Sequence, residues 1–301
     1  AIDPFAGSAS EFQKQRFVLC PLSEQNAAAL RAQLTWLQPR PLGLRTSAGM
    51  GDRLGLATPG HVHAVRATGS KVAPIFAQQS IREMNRTGRS PQQVMDDATW
   101  GIFSEGWREG VGADADHLKT HADIEACLAA GFTFFTIDPG EFVDNRAESA
   151  DLNSLRELAA YLPKEAHPSA SGLAGKFFTI EELKIHFDEC TLLKAAVKYG
   201  RAIVHVASMY HHLAATAGQR PFELEVSVDE TEQPTSHAEH YYIASELKRQ
   251  GVRWVSLAPR FVGRFEKGVD YISPSGKLAD FAPFAADIAG HAAIARHMGP
   301  Y

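Results

Sequence analysis

The sequence predicts a parallel α/β fold, read as a (β/α)8 TIM-type barrel. Short β-branched or small-residue runs alternate with segments of helical period. Polar and charged groups gather where those runs end, as at the C-terminal rim of a barrel. No Gly-x-Gly-x-x-Gly follows the first run, which disfavours a dinucleotide-binding sheet. Six strand–helix units can be counted in the 301 residues, short of the eight a barrel needs. The chain given is therefore expected to lack the last strands of its fold.

Residues 1–12 read as an expression scar and linker, leaving 13–301 as the barrel domain. A short apolar run over 16–19 precedes a helix over 26–37, with Leu30, Leu34 and Leu37 on one face and Pro39 and Pro41 as its stop. Leu42–Thr46 reads as the first strand and runs into the Gly-rich stretch 47–53. Pro59 opens a helix as its first residue. Val72–Ala77 is the second strand, ending at Gln78, Gln79 and Ser80, and Ser90-Pro91 opens a long helix with Val94, Ala98, Ile102 and Phe103 inward. The third strand lies within Gly110–Thr120. Asp123 fits as the N-cap of the helix that follows, which Gly131 closes. Phe132–Ile137 is the fourth strand, aromatic and β-branched, and ends in Asp138-Pro-Gly-Glu141.

Residues 142–180 break the rhythm and read as an inserted, cap-like segment with one short helix around Leu155–Tyr161. Helices over 180–199 and 201–217 are expected next, parted by Gly200. Phe222–Val228 alternates with the period of a strand and ends at Asp229 and Glu230. A helix from His240 to Gln250, closed by Gly251, leads to the sixth strand Val252–Ala258, which ends at Pro259-Arg260. A helix over 284–298 comes last.

Composition narrows the function classes. Hydrophobic content of 45% and charged content of 22% are those of a soluble globular protein. A net charge of -5 gives no basic footprint, so no nucleic-acid partner is expected. Three scattered cysteines, Cys20, Cys127 and Cys190, read as reduced intracellular thiols. No apolar run long enough for a membrane span occurs, and no signal peptide. The expected setting is the cytoplasm, with homo-oligomerisation left open.

The strand ends carry the chemistry. Collected at one rim of the expected barrel are Asp52, Arg53, Gln78, Asp114, Asp116, His117, Lys119, Asp138, Glu141, Asp229, Glu230 and Arg260. So many carboxylates repel one another unless a cation neutralises them, and oxygen ligands with one or two imidazoles suit Zn, Mn, Ni, Co or Fe. The plainer reading is solvated loop acids pairing with Arg53, Lys119 and Arg260. His240, near a helix start, could turn into the rim; taken alone it reads as a surface or packing histidine. His211 and His212 read as structural. Arg260 is the residue best suited to hold a carboxylate or phosphate, because guanidinium binds both bidentately.

Asp52-Arg-Leu-Gly55 with Thr58-Pro59, Pro74-Ile-Phe-Ala-Gln-Gln-Ser80, Asp96-Asp-Ala-Thr-Trp-Gly101, Gly112-Ala-Asp-Ala-Asp-His117, the run from Phe134 to Gly140, and Val226-Ser-Val-Asp-Glu-Thr231 resemble the bacterial tagaturonate epimerase family. The likeness covers nearly everything after about residue 40. It implies interconversion of tagaturonate and fructuronate with a divalent metal, and in some members action on tagatose and fructose. The family is also similar to class II metal-dependent ketose aldolases, whose strand-3 Asp-His pair Asp116-His117 matches. The resemblance implies Asp116 and Asp138 as catalytic residues, and His117, Glu230 and His240 as metal ligands. It implies Asp52, Arg53, Gln78, Lys119 and Arg260 as substrate-binding residues. It further implies a strand with a Leu-His-Ser-Gly segment beyond Tyr301. A metal-dependent aldolase and a non-catalytic sugar-binding barrel are the rival readings.

Overall fold

In the computed structural model, residues 4–69, 71–265, 268–299 and 301 are described; Ala1–Asp3 of the expected scar lie outside them. The chain divides into two compact units, Ala1–Thr136 with Thr216–Glu223, and Ile137–Ala215 with Leu224–Tyr301.

The first unit begins with an antiparallel hairpin, β1 (Ser8–Phe12) with β2 (Gln15–Leu19). Its two-residue turn places Gln13 and Lys14 at φ 51° and 63°, the left-handed pair that suits the twist of a tight hairpin. Helix α1 (Glu24–Gln33) is capped by Ser23, whose hydroxyl accepts from the Asn26 amide at 3.3 Å. Buried Asn26 ties the preceding segment down through hydrogen bonds to Ala6 and Pro21.

Strand β3 (Ser47–Gly49), helix α2 (Thr58–Thr68), β4 (Ala73–Ser80), α3 (Ile81–Thr87), α4 (Pro91–Ser104), β5 (Gly112–Leu118), α5 (His121–Ala130) and β6 (Phe134–Ile137) follow in order. β4 runs parallel to both β3 and β5. Ala113 and Ala115 of β5 are fully buried. Gly112 admits no side chain: a Cβ there would stand 2.8 Å from Leu42 Cδ1 and 2.9 Å from Ile75 Cγ1. The buried carboxylate of Glu223 accepts from the amides of Leu42 and Gly43, so Leu42–Thr46 is a turn-rich approach, not the strand expected there. Helix α5 corrects its expected cap. Thr120 is the N-cap, and Asp123 stands at the third helical position, where its carboxylate accepts a hydrogen bond from the Thr120 amide at 2.9 Å.

In the second unit, helix α6 (Leu152–Ala160) and the antiparallel hairpin β7 (Phe177–Ile180) and β8 (Leu183–His186) occupy the segment after β6. Then comes α7 (Glu189–Ala217), one unbroken helix where two were expected. Gly200 does not break it. Its missing side chain lets Ala166 approach, whose Cβ would lie 2.9 Å from a Cβ at residue 200. β9 (Glu223–Val228), α8 (His237–Arg249), β10 (Ser256–Pro259) and α9 (Ala282–Met298) complete the order, with β9 and β10 parallel. Fully buried Lys198 of α7 contacts Glu148 and lies 3.1 Å from Glu239.

The sheet overturns the barrel expectation. Its strand order is β10-β9-β6-β5-β4-β3. Six strands in a line, with β3 and β10 as edges, form an open sheet. Closure of a (β/α)8 barrel needs the first and last of eight strands to hydrogen-bond, and no such pairing exists among the described residues. The fold is a mixed α/β one built on a six-stranded sheet.

Candidate active site

The first unit supplies a carboxylate–imidazole pair at the end of β5. Small residues at 112–115 bury the strand's first half, and its polar half emerges as Asp116 and His117, both partly exposed. Adjacent residues of a strand point to opposite faces, yet His117 Nδ1 meets Asp116 Oδ1 at 2.6 Å. The backbone explains this: His117 has φ 54° inside the strand. A left-handed conformation is unfavourable for a residue with a Cβ and concentrates at functional positions. Two positions earlier, buried Asp114 accepts a hydrogen bond from Thr136 Oγ1 at 3.0 Å.

The other sequence-predicted residues of this unit have structural partners. Asp52 accepts from four backbone amides, those of Leu54, Gly55, Leu56 and Ala57, at 2.7–3.2 Å. Burial works to raise its carboxyl, but these amides outweigh burial and hold it below the usual range. Asp52 therefore organises its own loop. Arg53 reaches Glu83 at 3.2 Å. Gln78 packs over the glycines of residues 47–53; a Cβ at Gly51 would stand 3.0 Å from its Oε1. Lys119 is exposed, and its amide donates to Asp123.

In the second unit, the ends of β9 and β10 open onto a cavity of about 560 Å³ lined by Asp229, Arg260, Phe261, Arg264 and Phe265 among others. Ser227 Oγ donates to Asp229 Oδ1, and the Arg260 amide donates to Thr235 Oγ1 at 3.1 Å. The structure thus brings predicted Arg260 and Asp229 to one cavity and adds Arg264, which the sequence reading missed. The signal was present as a second guanidinium four residues on, in Arg260-Phe-Val-Gly-Arg264. Glu230 is exposed. Asp138 is buried, and its Oδ1 accepts from the Gly140 amide at 2.8 Å; Glu141 is exposed.

His240 belongs to the interior. It is 2% exposed, with Nδ1 2.8 Å from His291 Nδ1 and Nε2 2.7 Å from the Tyr301 hydroxyl. Burial, with His291 and His237 nearby, pushes its pKa down to about 3. Both ring nitrogens are engaged, so His240 does not fit the role of ligand to an implied metal. His117 does fit, because a carboxylate on Nδ1 is the arrangement that orients a ligating imidazole through Nε2. His117 lies in the first unit, Glu230 and His240 in the second.

The family model for tagaturonate epimerase, UxaE, matches residues 3–301. The chain belongs to the tagaturonate epimerase family. A tagaturonate/fructuronate epimerase of Thermotoga maritima is 44% identical over 297 residues, 97% of this chain and 59% of the relative. A glycerol-complexed crystal structure of the fructuronate-tagaturonate epimerase UxaE from Cohnella laeviribosi superposes with a TM-score of 0.87 at 39% identity, covering 99% of this chain and 59% of that one. The native crystal structure of the same Cohnella protein gives 0.87 at 40%. The chain thus spans 59% of the length of these tagaturonate epimerase relatives. Among the described residues no helix is long and apolar enough to cross a membrane.

Proposed function

We propose that the chain serves an isomerase that interconverts tagaturonate and fructuronate by inverting the hydroxyl-bearing carbon β to the ketone. One observation carries the chemistry: the strained Asp116–His117 pair at the end of β5, in a chain of this family. The hydrogen on the inverted carbon is not adjacent to the carbonyl, so enolisation does not loosen it. A retro-aldol route does the work instead. Base takes the proton of the hydroxyl on that carbon, and the oxygen becomes an aldehyde as the carbon–carbon bond breaks. The bonding pair passes to the three-carbon fragment as an enediolate. The aldehyde turns over, the bond re-forms on its other face, and the proton returns.

Asp116 is the base proposed for the hydroxyl proton, with His117 on its Oδ1 sharing the charge. Asp138 is the second carboxylate proposed to handle protons. Arg260, with Arg264, is the holder proposed for the uronate carboxylate, for which a guanidinium fork is matched. Glu230, Gln78, Arg53 and Lys119 keep proposed supporting roles. A divalent cation of the Zn, Mn, Ni, Co or Fe class, with His117 as the residue that fits it, would supply polarisation of the ketone when bound.

The test is an assay of both uronates with the chain, with and without a panel of divalent ions, run in deuterium oxide. Interconversion without deuterium at the inverted carbon supports the reading. Deuterium at that carbon would sink the retro-aldol route, and steady accumulation of two three-carbon fragments would make the protein an aldolase.

A further inference from the structure

The second unit holds a cluster that neither the reaction nor the predicted metal set uses. His237 is the first residue of α8, and Asp287 and His291 stand one turn apart on α9. His237 Nε2 is 3.5 Å from Asp287 Oδ1, and His291 Nε2 is 3.6 Å from the same oxygen. The three ligand atoms all lie within 4.8 Å of one another. Ligands 2.0–2.1 Å from a tetrahedral ion are separated by about 3.3 Å, so Asp287 Oδ1 already stands near ligand spacing from both imidazoles.

A second observation points to a ligand. His291 is 4% exposed, and its buried Nε2 has no hydrogen-bond partner among the described residues. The hydrogen bonds behind it admit two arrangements of the proton. The two facing Nδ1 atoms of His240 and His291 share one hydrogen. If His240 donates it, His291 carries its proton on Nε2, facing Asp287 Oδ1 at 3.6 Å. If His291 donates, His240 donates in turn to the Tyr301 oxygen, and Nε2 of His291 presents a lone pair to the cluster. That is the ligand tautomer, held by outer hydrogen bonds as ligating histidines are.

We propose that His237, Asp287 and His291 bind a divalent transition-metal ion of the zinc type, through two imidazole nitrogens and one carboxylate oxygen. Asp287 Oδ2 is kept for the Val262 amide at 2.9 Å, which leaves Oδ1 for the ion. His237 Nε2, 3.1 Å from the Asp287 carbonyl oxygen, gives up that hydrogen bond on binding. The ion ties the start of α8 to α9. Through Val262, and through the Phe261 ring 5.4 Å from the His291 ring, it also braces the loop that bears Arg260 and Arg264. The site does not depend on the proposed reaction and shares no residue with Asp116 or His117.

The test uses the full chain stripped with chelator and titrated with zinc chloride, read by calorimetry and by thermal unfolding. Wild type is expected to bind zinc at this site and to unfold at higher temperature with it. H237Q, at the partly exposed end of α8, and D287N are expected to weaken that binding at least about tenfold and to lose the thermal gain. G290A acts differently: its added methyl would collide with His237 Nε2 and should weaken binding with all three ligands intact. H117Q is expected to keep the thermal gain, which separates this site from any ion at His117. Far-UV circular dichroism of H237Q shows whether that variant folds. Zinc bound by folded H237Q and G290A as by wild type, zinc binding lost in H117Q instead, or a wild type that takes up no zinc would each overturn the proposal.

Discussion

His117 Nδ1 stands 2.6 Å from Asp116 Oδ1 because His117 leaves the β conformation, at φ 54°, at the end of β5. The turn of one residue converts two side chains that would face away from each other into a pair. A left-handed non-glycine residue costs about 1–2 kcal/mol, which selection tolerates where the side chain is needed.

The first prediction separates strain from chemistry. H117A keeps the strained backbone and H117G relieves it, so H117G should be the more stable by about 1 kcal/mol in urea unfolding. Both should lose epimerisation. D116N should lower turnover at least about 100-fold with little change in stability. Equal stability of H117A and H117G would show that the conformation carries no strain.

Arg260 and Arg264 give a split between substrates. R260Q and R264Q should raise KM for the uronates about 10- to 100-fold, the range of a lost charged hydrogen bond, while KM for the neutral ketoses tagatose and fructose changes little. Parallel changes for both substrate types would remove the arginines from carboxylate binding.

Asp52 predicts a pH dependence. Its folded carboxyl titrates below the unfolded one, because four amides outweigh the effect of burial. Such a group stabilises the fold fully above the ordinary aspartate range of about 4, and the contribution disappears as pH falls below it. The stability difference between wild type and D52A should therefore be largest near neutrality and narrow on acidification toward pH 3. A constant gap across that range contradicts the role.

Lys198 predicts a stability effect. Burial opposes its charge, but Tyr199, Glu239 and Glu148 carry its pKa up to about 12. K198M strands the Glu239 carboxylate, while Glu148 keeps Lys194 at 2.7 Å, and should cost about 3–5 kcal/mol in guanidinium unfolding. Adding E239Q should restore part of that loss, since the uncompensated charge goes with it.

Local order was legible in the chain. Ser90-Pro91, Gly131 and the alternation of β9 announce a helix start, a helix stop and a strand through interactions within a few residues, and each is found close to its expected place. Asp116-His117 was legible as a pair because the two are neighbours in sequence. Thr120 displaced Asp123 as cap because both belong to one capping box, in which either end looks like the start.

What depends on distant partners was not legible. Strand count and parallel pairing suggested a barrel, but closure is decided by whether the edge strands meet, and β3 and β10 do not. Asp52 looked available until four amides of its own loop were found around it, and His240 looked like a ligand until His291 and Tyr301 filled both its nitrogens. His237 and His291 lie in different helices and pass unnoticed in the sequence, because nothing local marks two residues as neighbours when only the packing of α8 on α9 makes them so. Short-range hydrogen bonding and side-chain periodicity are written along the chain; which donors remain open to a ligand is settled where separate segments pack.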